Sequence, residues 1–322
     1  MLYPLIFQPI FKERIWGGRN LARLYKKQLP PGLSIGESWE IVDRPDDVSI
    51  VSNGPLAGNS LHWLMENHRD DLMGGANPAG SRRFPLLIKI LDAQQKLSLQ
   101  VHPPRKKAGE PGGEPKTEMW FVAHATPEAD LYAGLKRGVS RAGFEEKLKQ
   151  GKVAECFHRI PVKAGDALFL PSGRVHAIGA GNIIFEVQEN SDTTYRVFDW
   201  NRVETNGKPR ELHVEKSLES IAFDDFEPGL VSRDFVSRPG LKIRPLVRDL
   251  LFNVDFCAAE PNQMIPLEPG MRIIGVTDGT LTIHSSEDMA LNPGQFCLVP
   301  AKVTGVSVSG NAPVSFLEVF VG

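Results

Sequence analysis

Apolar and polar residues alternate strictly along residues 97–102, where Ser98, Gln100 and His102 take the even positions. A period of two predicts a β-strand that has one apolar face and one polar face. The strand follows the apolar run of residues 84–91, which predicts a buried neighbouring strand. Because the polar face carries a hydroxyl, an amide and an imidazole beside a buried strand, we expect it to line an internal cavity.

The other segments predict a mainly β protein with a few helices. Strands are expected wherever short apolar runs alternate with Gly, Pro and polar turns. Helices are expected over residues 20–26, over residues 60–72 with Ser60 as the N-cap, over residues 140–151, and over residues 213–221.

Four side chains in two separated segments have the chemistry of a metal site. Gln100 and His102 project from one strand face, and Glu118 follows after a Pro/Gly-rich loop that is expected to cross the mouth of the cavity. The fourth candidate, His176, ends the pattern Gly-x5-Pro-x-Gly-x2-His over residues 165–176, which resembles the second signature of cupin barrels. Two imidazoles, a carboxylate and an amide oxygen suit Zn²⁺, Mn²⁺, Fe²⁺ or Co²⁺. No cysteine joins the set, so a closed structural zinc site is not expected.

Composition narrows the class of protein. The chain has 322 residues, of which 41% are hydrophobic and 24% charged, and its net charge of −2 lacks the basic excess of a nucleic-acid surface. The three cysteines lie outside any CxxC pattern, which favours free thiols in a reducing cytoplasm. No signal peptide and no membrane-length apolar stretch is recognised. We expect a cytoplasmic monomer or small homo-oligomer without a nucleic-acid or membrane partner.

The C-terminal part of the chain repeats the motif that contains His176. Residues 291–305 align with residues 162–176, and the Gly and Pro that frame the turn recur. Gly305 stands where His176 would be, so the second copy keeps the scaffold and lacks the ligand. We therefore predict a mainly β, bicupin protein, with two jelly-roll-like barrels, a few helices and one metal site.

The two barrels are expected to meet at an irregular segment of the chain. Residues 224–245 contain Pro and Gly and predict a linker. Residues 1–235 are expected to form the catalytic cupin domain, with N-terminal strands and short helices. Residues 236–322 are expected to form a cupin-like domain without metal ligands.

Six separated motifs make the sequence recognisable. They are Phe11-Lys-Glu-Arg-Ile-Trp-Gly-Gly18, Asn53-Gly-Pro-Leu-Ala-Gly58, Phe84-Pro-Leu-Leu-Ile-Lys89, Ser98-Leu-Gln-Val-His-Pro103, Lys116-Thr-Glu-Met-Trp120 and Tyr195-Arg-Val-Phe-Asp-Trp200. Together they resemble the type I mannose-6-phosphate isomerases over nearly the whole chain, in the short bacterial form without a large inserted helical domain. The resemblance implies a zinc-dependent aldose–ketose isomerase that interconverts mannose 6-phosphate and fructose 6-phosphate through an enediol intermediate.

The resemblance also implies roles for individual residues. The ligands of one zinc ion per chain would be Gln100, His102, Glu118 and His176. Arg196 matches the family's active-site arginine, and Lys89, Ser98 and Lys116 match polar residues of its substrate pocket. The chain departs from the family after His-Pro, where Pro104, Arg105 and two lysines replace the acidic residue of many members. This departure leaves the sugar preference open.

Isomerisation needs a group that moves a proton between C1 and C2 of the open-chain sugar. Glu186 lies on the strand after the cupin motif and is the candidate base, with Lys116 or a displaced water as the alternatives. Arg196 can stabilise the enediolate or hold the phosphate, or it can simply pair with Asp192 or Asp199. No Gly-rich phosphate loop is present, so Lys and Arg side chains must bind the phosphate.

Three other functions fit a metal-binding cupin. An isomerase of another sugar phosphate, such as glucose 6-phosphate, would use the same site. A cupin dioxygenase would bind Fe²⁺ and favour an apolar pocket, whereas Lys89, Lys116 and Arg196 indicate an anionic substrate. A non-catalytic sugar-binding cupin would not need an intact ligand set. Isomerisation of mannose 6-phosphate is therefore the predicted function.

Overall fold

The computed structural model describes residues 2–75, 82–105, 113–203 and 207–321. Within these residues the chain is mainly β, as the sequence predicts, with five short α-helices. The helices are α1 (Asn20–Tyr25), α2 (Leu61–Asn67), α3 (Arg69–Met73), α4 (Arg141–Lys149) and α5 (Val214–Ser220). In the described ranges, no helix is both long enough and apolar enough to cross a bilayer.

The first half of the chain forms two antiparallel sheets. Its strands are β1 (Ile10–Gly18), β2 (Ile35–Ile41), β3 (Leu86–Ala93), β4 (Leu99–Val101), β5 (Glu118–Ala125), β6 (Asp130–Leu135), β7 (Phe157–Pro161), β8 (Ala167–Leu170), β9 (His176–Ile178), β10 (Asn182–Glu189) and β11 (Tyr195–Phe198). One sheet has the order β1-β2-β3-β10-β5-β8, and the other has the order β11-β4-β9-β6-β7.

The second half forms two further sheets with the same arrangement. Its strands are β12 (Val236–Arg238), β13 (Leu241–Arg248), β14 (Phe252–Ala259), β15 (Ile265–Pro266), β16 (Arg272–Asp278), β17 (Leu281–His284), β18 (Met289–Leu291), β19 (Phe296–Val299), β20 (Ser307–Ser309) and β21 (Val314–Val321). The order β3-β10-β5-β8 recurs as β14-β21-β16-β19, and β4-β9-β6-β7 recurs as β15-β20-β17-β18. The repeat seen in the sequence is therefore a repeat of strand order.

The aligned turns of the two halves also share their backbone conformation. Gly165, before β8, has a φ of +83°, and Gly294, before β19, has a φ of +78°. Residues with a Cβ rarely adopt this left-handed region, so each turn favours glycine. The same chain reversal thus precedes the equivalent strand in each half.

The two halves share part of their hydrophobic core. Phe121 of the first half stacks on Phe256 of the second, with ring centroids 5.1 Å apart. Leu5, which precedes β1, exchanges two backbone hydrogen bonds of 2.8 and 2.9 Å with Leu298 on β19. One large cluster of buried apolar residues includes side chains from both halves. The halves are therefore packed against each other through apolar surface as well as joined in sequence.

The helix predictions hold with one change. The Ser60 hydroxyl accepts a 3.0 Å bond from the Trp63 amide, and Ser140 caps α4 in the same way. The helix predicted over residues 60–72 is divided in two, because His68 has a φ of −138° and both ends α2 and precedes α3. The two N-caps are therefore confirmed, whereas the prediction of one continuous helix over residues 60–72 is wrong.

The linker predicted over residues 224–245 is wrong in its second half. Strand β12 and residues 241–245 of β13 lie inside that range. Pro245 is exposed and sits where the register between β13 and β14 shifts, which is a position that tolerates the missing amide hydrogen. The predicted loop over residues 103–115 lies partly outside the described residues, since 106–112 are not among them.

Candidate active site

Three strands bring the predicted ligands together. Gln100 on β4 is paired directly with His176 on β9. His102 follows the end of β4, and Glu118 begins β5. Because β4 and β9 are neighbours in one sheet while β5 belongs to the facing sheet, these side chains meet between the sheets.

The donor atoms of these side chains converge on one buried point. His176 Nε2 lies 3.3 Å from Glu118 Oε1, and His102 Nε2 lies 3.6 Å from Glu118 Oε2. One ligand atom from each of the three residues lies within 4.8 Å of the other two. All three side chains are buried, and Glu118 Oε1 has no hydrogen-bond partner among the described residues. A buried carboxylate oxygen facing two imidazoles is the environment that a metal ion satisfies.

Backbone carbonyl groups orient both imidazoles. His102 Nδ1 lies 2.7 Å from the carbonyl oxygen of Thr193, and His176 Nδ1 lies 2.9 Å from that of Arg174. A carbonyl oxygen only accepts, so each Nδ1 carries the hydrogen and each Nε2 keeps its lone pair. Metal-binding histidines are held in this way in other proteins.

The electrostatics of the cluster favour the metal-binding protonation states. Burial, with the help of the Lys116 cation, lowers the pKa of His102 to about 4, and burial also lowers the pKa of His176. Burial alone would raise the pKa of Glu118, but Lys116 and the two imidazoles hold it well below its usual range. Neutral imidazoles and an ionised carboxylate are the forms that coordinate a cation.

Gln100 completes the donor set. Its Nε2 atom lies 3.3 Å from His176 Nε2. The oxygen and nitrogen of an amide exchange places by a half-turn about the last side-chain bond, and their assignment follows from the hydrogen-bond network. With Oε1 turned inward, the residue adds a neutral oxygen ligand beside the two imidazoles and the carboxylate. These residues fit a divalent ion of the Zn²⁺ type.

A cavity of about 500 Å³ opens beside the donor set. It is lined by Gln100 together with the other polar residues that the sequence singles out, which are Lys89, Ser98, Lys116, Glu186 and Arg196. Strand β11 lies next to β4, and Arg196 is paired with Gln100. The structure therefore brings six of the predicted site residues to one cavity, next to the cluster of the other three.

Carboxylates and ammonium groups alternate along one side of this cavity. Lys89 Nζ lies 3.7 Å from Glu37 Oε2 and 3.5 Å from Glu186 Oε1. Lys116 Nζ lies 3.6 Å from Glu186 Oε1 and also contacts Glu118. Since each buried charge has an opposite charge on either side, the row avoids the large cost of isolated charges in an apolar interior.

Strand register explains how Glu186 is held. On β10 it is paired with Lys89 of β3 on one side and with Trp120 of β5 on the other. The Trp120 indole Nε1 donates a 2.9 Å hydrogen bond to Glu186 Oε2. Glu186 Oε1 accepts no hydrogen bond from the described residues, although both lysine Nζ atoms lie within 3.6 Å of it. One oxygen is fixed by a hydrogen bond, and the other lies buried between two ammonium groups.

A backbone carbonyl group holds the side chain of Arg196. Its Nη1 atom donates a 2.7 Å bond to the carbonyl oxygen of Glu211, next to Arg210, which with Arg202 donates to the carboxylate of Asp199. The segment around Glu211 therefore positions the guanidinium that the sequence places in the site.

Sequence reasoning missed several residues of the cavity. Glu37 and Arg210 both line it, and neither was assigned a role from the sequence. Alternation along β2 was a usable signal, because it places Glu37 on the same face as Trp39, whose Nε1 donates a 2.6 Å bond to it. No comparable signal was present for Arg210, which reaches the cavity from an irregular segment.

The fold and the donor set define a class of protein, the mainly β enzymes with a buried candidate metal site beside a polar cavity. The sequence profile of the type I phosphomannose isomerase catalytic domain matches residues 5–114. A mannose-6-phosphate isomerase of Streptococcus mutans is 34% identical over 317 residues, which cover 98% of each chain. The chain belongs to the type I mannose-6-phosphate isomerase family, as the sequence motifs indicate.

Two Bacillus subtilis proteins support the same assignment. The mannose-6-phosphate isomerase ManA is 42% identical over 220 residues, which are 68% of each chain. A crystal structure of a mannose 6-phosphate isomerase from that organism superimposes with a TM-score of 0.90 at 31% identity, covering 99% of this chain and 100% of the other. The similarity therefore extends over both halves of the molecule.

Proposed function

We propose that this protein interconverts mannose 6-phosphate and fructose 6-phosphate by moving a proton between C1 and C2 through an enediol. The observation that carries the proposal is the position of Glu186, with one carboxylate oxygen that accepts no hydrogen bond from the described residues, on the wall of the cavity beside the convergent donor set. The mannose-6-phosphate isomerases of S. mutans and B. subtilis support this choice of substrate.

The metal is proposed to be a single Zn²⁺ ion held by Gln100, His102, Glu118 and His176. When bound, zinc supplies a Lewis acid that polarises the substrate carbonyl and stabilises developing negative charge. One ion per chain is expected, because Gly305 occupies the place of His176 in the second half.

Glu186 is proposed as the base. Its Oε1 takes the proton from C2 of the aldose, the electron pair of the broken C–H bond forms the C1–C2 double bond, and the π pair of the C1 carbonyl moves onto O1. The same carboxyl group returns the proton to C1 while the hydroxyl proton passes from O2 to O1, which gives the ketose with no other reactant consumed. Trp120 fixes Oε2 and so limits the orientations of the carboxylate.

Four other residues are proposed to bind the substrate and its developing charge. Lys116 lies between Glu186 and Glu118 and stabilises the negative charge of the enediolate, together with Arg196. Lys89 and Ser98 line the cavity on either side and contact the sugar phosphate. These cations fit an anionic substrate and do not fit the apolar pocket of a dioxygenase.

The architecture is proposed to be bicupin, with a catalytic domain over residues 1–235 and a cupin-like domain over residues 236–322. The repeated strand order supports two equivalent units, and β12 begins at the proposed boundary. All three cysteines are free and buried, which supports the proposal of a reducing cytoplasm. We keep a monomer or small homo-oligomer as the proposed state, which sedimentation would measure.

The test is an assay of mannose 6-phosphate isomerisation, before and after chelation, with zinc added back. Wild-type activity should be lost on chelation and restored by zinc. His102→Ala should not respond to zinc, whereas the matched change at the exposed His124 should behave as wild type. Arg196→Ala should keep its zinc and lose about 10²- to 10³-fold in kcat. A zinc-loaded wild type that leaves mannose 6-phosphate unchanged but converts glucose 6-phosphate would replace the proposed substrate.

A further inference from the structure

A turn of two left-handed residues follows β11, and neither is glycine. Trp200 has a φ of +57° and Asn201 has a φ of +56°. This conformation costs roughly 1–2 kcal/mol for each residue with a Cβ. Such strain persists where the surroundings hold it, and it concentrates at functional sites.

The surroundings of this turn do hold it. Trp200 Nε1 donates a 2.7 Å hydrogen bond to the carbonyl oxygen of Leu97, and its ring packs 5.6 Å from that of Tyr132. Arg202 donates a 2.6 Å bond to the carbonyl oxygen of Lys96. The turn is thereby tied to the backbone directly before Ser98, which lines the cavity.

The turn positions a buried carboxylate, Asp199, against Arg210. Arg210 Nε lies 2.8 Å from Asp199 Oδ2, and Arg210 Nη2 lies 2.5 Å from Oδ1. Arg202 also donates to Oδ1. Two parallel bonds fix the plane of the Arg210 guanidinium, since a fork-shaped donor matches a carboxylate in only a few orientations.

The Asp199 carboxylate cancels the charge of Arg210 only in part. Arg210 lines the cavity, and its partner Asp199 is shared with Arg202, so the three side chains carry a net charge of +1. By contrast, Lys89 and Lys116 each lie between two carboxylates. Arg210 therefore has a smaller share of carboxylate charge than the two lysines near the donor set.

Arg210 and Gln100 line the same cavity, so one ligand can contact both this charge and the donor set. The turn is anchored next to Ser98, which also lines the cavity and precedes Gln100 by two residues. Arg196 belongs to the same region, because its guanidinium donates to the carbonyl oxygen of Glu211, the neighbour of Arg210.

We propose that Arg210 contacts the phosphate of the substrate and that Asp199, held by the strained turn, is its positioning residue. The inference rests on the proposed function, and it identifies the residue that selects a phosphorylated sugar. A guanidinium with its plane fixed by Asp199 can direct its remaining N–H groups, on Nη1 and Nη2, at a phosphate oxygen. Charge-assisted hydrogen bonds of this kind are among the stronger ones in proteins.

The test compares zinc-loaded Arg210→Ala, Arg210→Lys and Asp199→Asn with wild type. Calorimetry measures the affinity for an equilibrium mixture of mannose 6-phosphate and fructose 6-phosphate, and steady-state kinetics give KM and kcat. Arg210→Ala should raise the dissociation constant and KM about 10- to 100-fold, as expected for a lost hydrogen bond to a charged group. Its kcat at saturation should change by less than about threefold.

The other two variants distinguish the effect of the charge at position 210 from the effect of the orientation of the guanidinium. Arg210→Lys should bind with intermediate affinity, because it keeps the charge and loses the fork. Asp199→Asn should weaken binding about three- to tenfold with unchanged zinc content, because Arg210 remains but is less well held. Arg233→Ala is the matched control, since Arg233 also donates twice to a buried aspartate, Asp166, away from this cavity, and it should behave as wild type.

Each contrary result has a distinct meaning. Wild-type affinity in Arg210→Ala, or a lower kcat at unchanged KM, would overturn the assignment of Arg210. If Arg210→Ala fails to fold, wild-type affinity in Arg210→Lys and in Asp199→Asn would overturn it equally. A wild type that binds the mixture in an Arg210-dependent way without interconverting the sugars would support Arg210 while refuting the proposed isomerase function.

Discussion

Trp120 and Glu186 are cross-strand neighbours joined by a 2.9 Å hydrogen bond from the indole Nε1 to the carboxylate Oε2. The bond crosses from β5 to β10 between two residues that line the cavity, and it leaves Oε1 without a hydrogen bond from the described residues. It also places the Trp120 ring 5.3 Å from the His176 ring, edge to face. The proposed base and a proposed metal ligand thus contact the same side chain.

Glu186→Gln should lower kcat by about 10²- to 10⁴-fold, because the amide cannot accept the substrate proton. Zinc content should not change, since Glu186 is not in the donor set. The assay is run in deuterated water, where exchange of the transferred proton introduces deuterium into the product of the wild type. The residual product of Glu186→Gln should lack this deuterium. Glu145→Gln on the surface of α4 is the control. Near-normal turnover in Glu186→Gln would show that another group acts as the base.

Trp120→Phe should lower kcat about tenfold, because Oε2 of a buried carboxylate loses its donor. Combined with Glu186→Gln, it should cause little further loss, since the two residues act as one unit. Rates of the two single variants and the double variant form the cycle that measures this coupling. Fully additive losses would show that the indole acts independently of the carboxylate.

Asp225→Ala should weaken zinc binding about tenfold without altering a ligand. Asp225 accepts two 2.8 Å bonds from Arg174, whose carbonyl oxygen accepts from His176 Nδ1. Releasing Arg174 should therefore loosen the imidazole that it orients. Competition with a chromophoric chelator measures the affinity, and Asp224→Ala on the exposed neighbour is the control. Equal affinities in the two variants would contradict the link.

The alternating carboxylates and ammonium groups beside the cavity predict a specific dependence of stability on pH. Burial acts to raise the pKa of Glu37, but Lys89, Arg14 and the bond from Trp39 lower it to about 2. A carboxyl group whose pKa is lower in the folded state contributes stability above its unfolded pKa of about 4.3 and loses it as pH falls toward 2. Glu37 should therefore contribute roughly 3 kcal/mol at neutral pH, which disappears between about pH 4.5 and 2.

Urea unfolding at a series of pH values tests this dependence. Glu37→Gln should be less stable than wild type at neutral pH, and its stability should fall less steeply between about pH 4.5 and 2. Glu128→Gln, at an exposed position, should keep the wild-type slope. If the free energy of unfolding falls with pH equally steeply in Glu37→Gln and in wild type, the pKa of Glu37 is not lowered in the folded state.

The equivalent turns of the two halves should tolerate alanine unequally. Both Gly165 and Gly294 have positive φ, so alanine should cost about 1–2 kcal/mol of unfolding free energy at either site. At Gly294 a Cβ would also lie 2.5 Å from Cγ of Tyr25, whereas at Gly165 the nearest atom is 3.9 Å away. Gly294→Ala should therefore lose about 1–3 kcal/mol more, measured by urea unfolding. Equal losses would mean that Tyr25 moves aside at little cost.

Local patterns were sufficient for the parts of the site that lie on regular strands. The alternation around Gln100 placed three polar side chains on one face, and the Gly-Pro-Gly-His pattern placed His176 at the start of a strand. Both patterns depend only on strand periodicity and turn chemistry, which neighbouring residues determine. The same reasoning located the capped helices at Ser60 and Ser140.

Features that depend on distant partners could not be predicted in this way. The position of Arg210 depends on Asp199 and on a turn anchored to Lys96 and Leu97, about a hundred residues away in sequence. The linker was mispredicted for a different reason: β12 pairs with β13 and β13 pairs with β14, and this pairing overrides the local Pro and Gly signals.

The pairing of Leu5 with Leu298 has a consequence for synthesis of the chain. This bridge joins positions 293 residues apart, so it cannot form until residue 298 has left the ribosome. Until then the apolar side chains that later face the second half, such as Phe121, have no cover and are exposed to aggregation. The half that carries the catalytic groups therefore reaches its final packing only after nearly all of the chain has been translated. A chain truncated after residue 235 would never complete this packing.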